Sequence, residues 1–291
     1  AFRARLQRLD WMSEATRTQA LAKLDAMRVK IGYPDTWRDY TVLEIDRTSY
    51  LGNVLAARRF AFQRGLAKVG RPVDRAEWVM TPMTNNAYYE PTLNELVFPA
   101  GVLQPPFFDP DADEAANYGN IGATIGHEMT HGFDDGGRQY DAEGNLRDWW
   151  TAADAKAFAE RAALLVKQFE AFEPLPGMRI DGTLTLGENL ADLGGLVIAY
   201  DAFMRARQGA PAAGPQDGFA PEQRFFLNYA ETWRFKLRPE FLRARLLTDE
   251  HAPPKYRVLG PLANLPEFAA AFGCKPGDAM VRPAHARPNL W

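Results

Sequence analysis

The chain has 291 residues, of which 46% are hydrophobic and 24% charged, and this composition is typical of a globular protein with a sizeable core. Its formal net charge of -3 gives no reason to expect a nucleic-acid partner. No apolar run reaches about 18 residues, so we expect no membrane contact from this segment. The single cysteine, Cys274, excludes an internal disulfide bond.

Two predicted helices open the chain. Ser13 is a candidate N-cap for a helix that runs to about Val29, and a second helix is predicted over 49–69. We interpret both as scaffold, because periodic apolar stripes usually belong to a core. The first residues already lie inside an amphipathic pattern, which indicates a segment of a longer protein.

A small sheet and further helices are predicted next. Two short strands, 86–89 and 95–98, are joined by a turn that contains Pro91 and Asn94. Thr151 and Asp154 resemble a capping box at the start of a helix. The remaining predicted elements are helices over 119–133, 151–172, 188–207, 221–235 and 266–272 and a surface loop over 209–218. The expected fold class is α+β, mostly helical, with a small sheet near the N-terminal side of the 119–133 helix.

A His-Glu-Met-Thr-His sequence lies inside the predicted 119–133 helix. Residues four apart share one face of a helix, so His127 and His131 could bind one metal ion. Glu128 could then take a proton from a water in the open coordination position, an arrangement typical of zinc peptidases. The motif is short, and histidine pairs on helices also occur as ordinary surface or core residues.

A catalytic zinc ion needs a third protein ligand. Glu188 and Asp192 stand four apart near the start of a predicted helix, so one could bind the metal while the other orients an imidazole. Asp134, which follows His131 by one turn, could orient the other imidazole in the same way. Helix capping or plain solvation is the alternative for both aspartates.

His251 and Arg257 are candidates for stabilising negative charge on a substrate. A histidine and a fixed arginine are suitable donors opposite a developing oxyanion. A histidine followed closely by two prolines, as His251 is, is however usually only a loop residue.

The chain resembles the C-terminal catalytic region of the neprilysin/endothelin-converting-enzyme family of zinc metallopeptidases. The resemblance rests on many motifs in the family's order: Ile-Gly-Tyr-Pro at 31–34, Asn-Ala-Tyr-Tyr at 86–89, Phe-Pro-Ala-Gly and the aromatic segment at 98–108, Gly-His-Glu-Met-Thr-His-Gly at 126–132, Phe-Asp-Asp at 133–135, Asp-Trp-Trp at 148–150, 187–195, Arg-Pro-Glu at 238–240, the His251 loop and Trp291. It implies a zincin-like metallopeptidase domain over 79–291, with residues 1–78 as a helical segment leading into it. Because Cys274 lacks the partner found in animal members, the chain resembles bacterial members.

The resemblance implies roles around the metal. Glu188 matches the third zinc ligand, beside His127 and His131, and one Zn²⁺ per chain is expected. Asp134 and Asp192 match the carboxylates that orient the two imidazoles.

The resemblance also implies roles towards a peptide substrate. His251 matches the transition-state stabiliser, Arg257 the arginine that holds the substrate backbone, and Asn86 and Ala87 the residues that bind the peptide main chain as an added strand. The side chains that would line the pocket for the residue after the scissile bond are Val102, Phe107, Ala123, Thr124 and Trp233.

The predicted function is that of a zinc-dependent endopeptidase acting on oligopeptides or small proteins, with a preference for a hydrophobic residue after the scissile bond. The family's lid-forming segment is absent from this chain, so a separate chain that carries it is a candidate partner. A secreted or periplasmic location is favoured over the cytoplasm. Thermolysin-like proteases and related aminopeptidases place the third glutamate much closer to the histidines along the chain, so the wider gap between His131 and Glu188 argues against both classes. A zinc-binding but inactive scaffold is the alternative, although such a scaffold would not need Glu128, His251 and Arg257 together.

Overall fold

The computed structural model describes residues 1–209 and 214–291, and within them it contains eleven α-helices and three β-strands. The helices are α1 (Phe2–Leu6), α2 (Glu14–Ala26), α3 (Tyr50–Leu66), α4 (Glu114–Asn117), α5 (Ala123–His131), α6 (Ala152–Glu170), α7 (Leu186–Ala206), α8 (Pro221–Thr232), α9 (Pro239–Thr248), α10 (Pro254–Leu262) and α11 (Pro266–Phe272). The strands are β1 (Arg28–Gly32), β2 (Tyr88–Glu90) and β3 (Glu95–Pro99). The mostly helical α+β fold class is therefore confirmed.

The first predicted helix is shorter than expected. Ser13 caps α2 by accepting a hydrogen bond from the amide of Thr16, as predicted, but the helix ends at Ala26 and not at Val29. Residues 28–32 instead form β1, which pairs in parallel with β3. The β-branched residues of this stretch suit a strand, and its partner lies more than sixty positions further along the chain. Local helix periodicity therefore could not reveal it.

The sheet has three strands in the order β1-β3-β2, where two were predicted. The central strand β3 is buried along its whole length. β2 begins at Tyr88, so Asn86 and Ala87 precede the strand and do not belong to it, which corrects the predicted 86–89 strand. Because β2 is an edge strand, one of its sides is not paired within the sheet.

The helix that carries the two histidines is α5, and it is shorter than the predicted 119–133 helix. It continues from α4 through one π-helical turn, Tyr118–Gly122. Such wide turns widen the backbone spiral locally and are frequent at functional sites. The other site helix, α7, begins at Leu186, two residues before Glu188.

The C-terminal part contains two helices, α9 and α10, that were not predicted. Each starts at a proline, Pro239 or Pro254, which suits the first helical turn because its missing N–H has no partner there. The predicted 221–235 helix ends at Thr232. The predicted loop 209–218 includes residues 210–213, which lie outside the described residues.

One aromatic core joins the two ends of the chain to the histidine helix. The ring of Phe2 lies 5.1 Å from that of Phe133, just after α5, and 5.8 Å from that of Trp291. α1 and α2 thus share this core with α5 and α7. The second predicted helix, α3, has no buried residue, so its interpretation as part of the core is wrong. The predicted boundary at residue 78 stays a prediction. In the described part of the chain, no helix has the length and apolar character needed to cross a membrane.

Candidate metal centre and active site

Two imidazoles and one carboxylate converge between α5 and α7. Nε2 of His127 lies 3.0 Å from Nε2 of His131. Oε2 of Glu188 lies 3.3 Å from Nε2 of His127, and its Oε1 lies 3.5 Å from Nε2 of His131. Three ligands of a tetrahedral zinc ion at about 2.1 Å would be about 3.4 Å from one another. The three side chains therefore fit a single zinc ion.

The outer nitrogen of each imidazole meets an aspartate. Nδ1 of His127 lies 2.9 Å from Oδ1 of Asp192, and Nδ1 of His131 lies 2.7 Å from Oδ2 of Asp134. When Nδ1–H donates to a carboxylate, the lone pair of Nε2 points to the other side, where an ion would lie. Both aspartates are therefore placed where they would fix the tautomer and the orientation of the imidazoles.

The charges of the cluster favour binding of a cation. Burial alone would lower the pKa of His127, but hydrogen bonds with Asp192 and Glu188 outweigh it and raise that pKa to about 10. Burial would raise the pKa of Glu188, but His127 holds it well below its usual range. A metal ion must replace protons on the imidazoles, so we expect binding to release protons.

Glu128 lies in the same cavity as the converging side chains. It is buried, and burial raises the pKa of its carboxyl group, although the neighbouring His127 and His131 act in the opposite direction. A carboxylate with a raised pKa is a stronger base towards water than an exposed one.

The cavity around this cluster has a volume of about 890 Å³. It brings together all the site residues that the sequence predicted: Asn86, Ala87, Val102, Phe107, Ala123, Thr124, His127, Glu128, His131, Asp134, Glu188, Asp192, Trp233, His251 and Arg257. From Asn86 to Arg257 these residues span more than 170 positions of the chain, so the tertiary fold brings them together.

Apolar side chains line one side of the cavity. Val102 follows the central strand of the sheet and Ala123 begins α5, and both are buried. Phe107 and Trp233 are half-buried, as is Thr124, whose hydroxyl donates to the carbonyl of Asn120. This side of the cavity is suited to an apolar group.

Arg257 on α10 is tied to the metal cluster more closely than the sequence indicated. Its Nε and Nη2 lie 2.7 Å from Oδ2 and Oδ1 of Asp192, and Nη2 lies 3.3 Å from Oε2 of Glu188. Its guanidinium lies 4.1 Å from the ring centre of Trp233, a cation–π contact. Asp192 therefore serves His127 and Arg257 at once, which sequence reasoning missed.

His251 reaches the cluster from the loop after α9. Its Nε2 lies 3.3 Å from Oε2 of Glu188, and its Nδ1 lies 2.8 Å from Oδ1 of Asp249. Asp249 is in turn paired with Arg245 at 2.8 Å. Sequence reasoning missed Asp249, although an aspartate two residues before a histidine can accept from the backbone amide of that histidine, as it does here.

A cleft with a His-Glu-x-x-His helix and a third carboxylate from a second helix defines a zincin-type metallopeptidase. The chain belongs to peptidase family M13, whose models match residues 86–287 and 1–34. The zincin-like fold implied by the sequence is thereby confirmed, and the family's zinc agrees with the donor set of the cluster.

The relatives include vertebrate and bacterial peptidases. Human endothelin-converting enzyme-like 1 is 42% identical over 99% of this chain and 38% of its own length, and human endothelin-converting enzyme 1 is 40% identical over 97% and 38%. The structure of Mycobacterium tuberculosis zinc metalloprotease Zmp1 in complex with an inhibitor matches with a TM-score of 0.96 and 48% identity over 100% of this chain and 45% of the other. PepO from Lactobacillus rhamnosis matches with a TM-score of 0.87 and 37% identity over 98% and 44%. The chain thus spans less than half the length of these relatives.

Proposed function

We propose that this chain is the catalytic region of a zinc-dependent endopeptidase that holds one zinc ion and cleaves oligopeptides or small proteins. The observation that carries the proposal is the convergence of His127, His131 and Glu188 within 3.0–3.5 Å of one another, in a cavity that also contains Glu128. An arrangement of three ligands that leaves a fourth position open is typical of catalytic zinc sites.

The chain's own residues divide the chemistry between them. Bound zinc would supply a Lewis acid that makes water more acidic and polarises the scissile carbonyl. Glu128 takes a proton from the attacking water and later delivers it to the leaving amine. Its buried position suits both steps, because burial disfavours its charged form and so increases its affinity for the proton.

His251 and Arg257 both lie beside Glu188 and supply hydrogen-bond donors towards a substrate. Asp249 holds Nδ1 of His251, and this contact directs Nε2 towards the position near Glu188 where an oxyanion would develop. Two nitrogens of Arg257 bind Asp192, and the side chain also lines the cavity. We assign to it the binding of a substrate carbonyl beside the scissile bond.

Substrate binding uses the edge of the sheet and the apolar side of the cavity. An extended peptide can pair with the free side of β2 and with Asn86 and Ala87 just before it. The apolar side of the cavity, which includes Val102 and Phe107, then takes the side chain after the scissile bond. Burial of one such large apolar side chain contributes about 1.5–3 kcal/mol, which supports a hydrophobic preference.

The relatives are more than twice as long as this chain, and a lid-forming segment is expected in the remainder. We propose that this segment, in the same protein or as a separate chain, limits the size of substrates. A secreted or periplasmic location belongs to the same proposal and is tested by cell fractionation.

The decisive experiment measures metal content and cleavage together. We expect about one zinc per chain by elemental analysis and cleavage of internally quenched peptides with Phe or Leu after the scissile bond. A chelator should abolish cleavage and added zinc should restore it. A chain that binds zinc but cleaves no peptide, even with its lid segment supplied, would instead be a scaffold.

A further inference from the structure

Lys23 on α2 is a fully buried lysine outside the residues assigned to the site. Its side chain is 1% exposed, and its Nζ donates to the carbonyl oxygens of Gly137 and Tyr140, each at 2.7 Å. The same nitrogen lies 5.7 Å from the ring centres of Tyr89 and Phe133. The lysine therefore occupies an aromatic cage and binds two backbone carbonyls of one loop.

This loop, residues 134–140, connects Lys23 to the imidazole of His131. The amides of Gly136 and Gly137 donate to Oδ1 of Asp134 at 2.9 and 2.7 Å, while Oδ2 of Asp134 meets Nδ1 of His131. Gly137 thus donates to Asp134 through its N–H and accepts from Lys23 through its C=O. Three successive contacts lead from Lys23 to a predicted metal ligand.

The loop is also packed tightly against the end of α5. A Cβ on Gly137 would lie only 1.7 Å from the carbonyl oxygen of His131, so the backbone of the loop lies directly against the last residue of α5. Burial lowers the pKa of Lys23 to about 7, while the charge of Asp134 acts in the opposite direction. The ammonium and the neutral amine both have at least two N–H groups, so the two carbonyl contacts persist in either state.

We propose that Lys23 is a positioning residue of the metal site, which fixes the 134–140 loop and through Gly137 and Asp134 holds the imidazole of His131 in its ligating orientation. This inference rests on the proposed function, because it assigns a role towards the metal that His131 would bind. The competing interpretation is a lysine that stabilises the fold and has no effect on the site.

Lys30 on β1 provides a matched control. It is also largely buried, and its Nζ donates to the carbonyl of Glu77 at 2.8 Å and to Oε1 of Glu95 at 2.7 Å, away from the loop. Lys23→Met and Lys30→Met therefore each remove two hydrogen bonds of an ammonium group, and Lys30→Met also leaves the buried carboxylate of Glu95 without its ion pair. Each folded variant is compared with the unmodified chain by denaturant unfolding and by competition for Zn²⁺ with a chelator.

We expect Lys23→Met to weaken zinc binding about tenfold, the lower end of the range for partners of metal ligands. Lys30→Met should lose stability but keep the zinc affinity of the unmodified chain. If both variants lose stability and neither loses zinc affinity, Lys23 is a structural residue and the inference is overturned. If Lys23→Met does not fold, the milder Lys23→Gln is measured by the same criteria.

Hydrogen exchange in the metal-free chain separates this inference from the proposed function. We expect faster exchange of the Gly136 and Gly137 amides in Lys23→Met than in Lys30→Met, because these amides donate to Asp134 only while the loop is held. Unchanged exchange would overturn the inference. A chain that binds no zinc, yet shows this difference in exchange, would contradict the proposed function and leave the role of Lys23 in the loop intact.

Discussion

The backbones of Gly126 on α5 and Gly195 on α7 are in direct contact where the two site helices cross. A Cβ on Gly126 would lie 2.7 Å from the carbonyl oxygen of Gly195, and a Cβ on Gly195 would lie 2.6 Å from that of Ala123. Only glycine permits this approach of two backbones. Glu188 lies two turns before Gly195 on α7, so this crossing determines how far its carboxylate is from His127 and His131.

Gly195→Ala should therefore separate the two helices and weaken the metal site. We expect a loss of about 1–3 kcal/mol in the free energy of unfolding, as for overpacked cores, together with weaker zinc binding. Gly65→Ala on α3 is the control, because its Cβ would meet no atom within 4 Å and alanine favours a helix. Urea unfolding and chelator competition measure both effects. Equal zinc affinity in the two variants would show that the helix crossing does not determine the geometry of the metal site.

Asp134→Asn and Asp192→Asn should both weaken zinc binding, but they should lower the stability of the fold to different extents. Each removes the carboxylate that faces the outer nitrogen of an imidazole, which typically costs 10–100-fold in metal affinity. Asp192→Asn also removes the charge that compensates the buried Arg257, so we expect it to lose more stability. Chelator competition gives the affinities and thermal unfolding the stabilities. An Asp192→Asn variant as stable as Asp134→Asn would contradict the shared role of Asp192.

Glu128→Gln should abolish cleavage and retain zinc. The amide keeps the size of the side chain but cannot accept the proton of the attacking water, so we expect kcat to fall at least about 10²–10⁴-fold. His127, His131 and Glu188 are unchanged, so metal content should remain that of the unmodified chain. Quenched-peptide cleavage and elemental analysis of the same sample test this. Full activity in Glu128→Gln would disprove the assigned base.

The local part of the site was accessible from the sequence. The four-residue spacing indicated that His127 and His131 share a helix face, and in the structure their Nε2 atoms lie 3.0 Å apart. The contribution of Glu188 came from a resemblance, because spacing alone allowed either Glu188 or Asp192 to face the metal. In the structure Glu188 faces the Nε2 atoms and Asp192 the outer nitrogen of His127.

The long-range part of the site was not accessible. The parallel pairing of β1 with β3, the contact of Asp192 with Arg257 and the contact of Lys23 with Gly137 each join residues at least 65 positions apart. Periodicity describes one element at a time and gives no information on such partners. The observed end of α2 differs from the predicted one for the same reason. The helix stops at Ala26 because the residues that follow it pair with a distant strand.

Asp154 also makes long-range contacts that the sequence did not reveal. Thr151 caps α6 as predicted by accepting from the amide of Asp154, but the carboxylate of Asp154 does not complete a capping box. It instead accepts hydrogen bonds from the backbone amide and hydroxyl of Ser13 and from the hydroxyls of Thr16 and Thr151, and it thereby joins α2 to α6.

These hydrogen bonds should make stability depend on pH in acid. Burial alone would raise the pKa of Asp154, but the hydrogen bonds outweigh it and lower the pKa from 3.8 to about 2. The folded state therefore binds fewer protons than the unfolded state between these values. The stabilisation, roughly 2 kcal/mol, is complete above about pH 4 and is lost as the pH falls through 2.

Asp154→Asn should lower the free energy of unfolding at pH 7 and flatten its decline between pH 4 and 2. Asp10→Asn, at an exposed position, is the control and should follow the unmodified chain. Urea unfolding at pH 7, 4 and 2.5 measures the slopes, and an Asp154→Asn slope equal to that of the unmodified chain would show that other carboxylates cause the acid sensitivity.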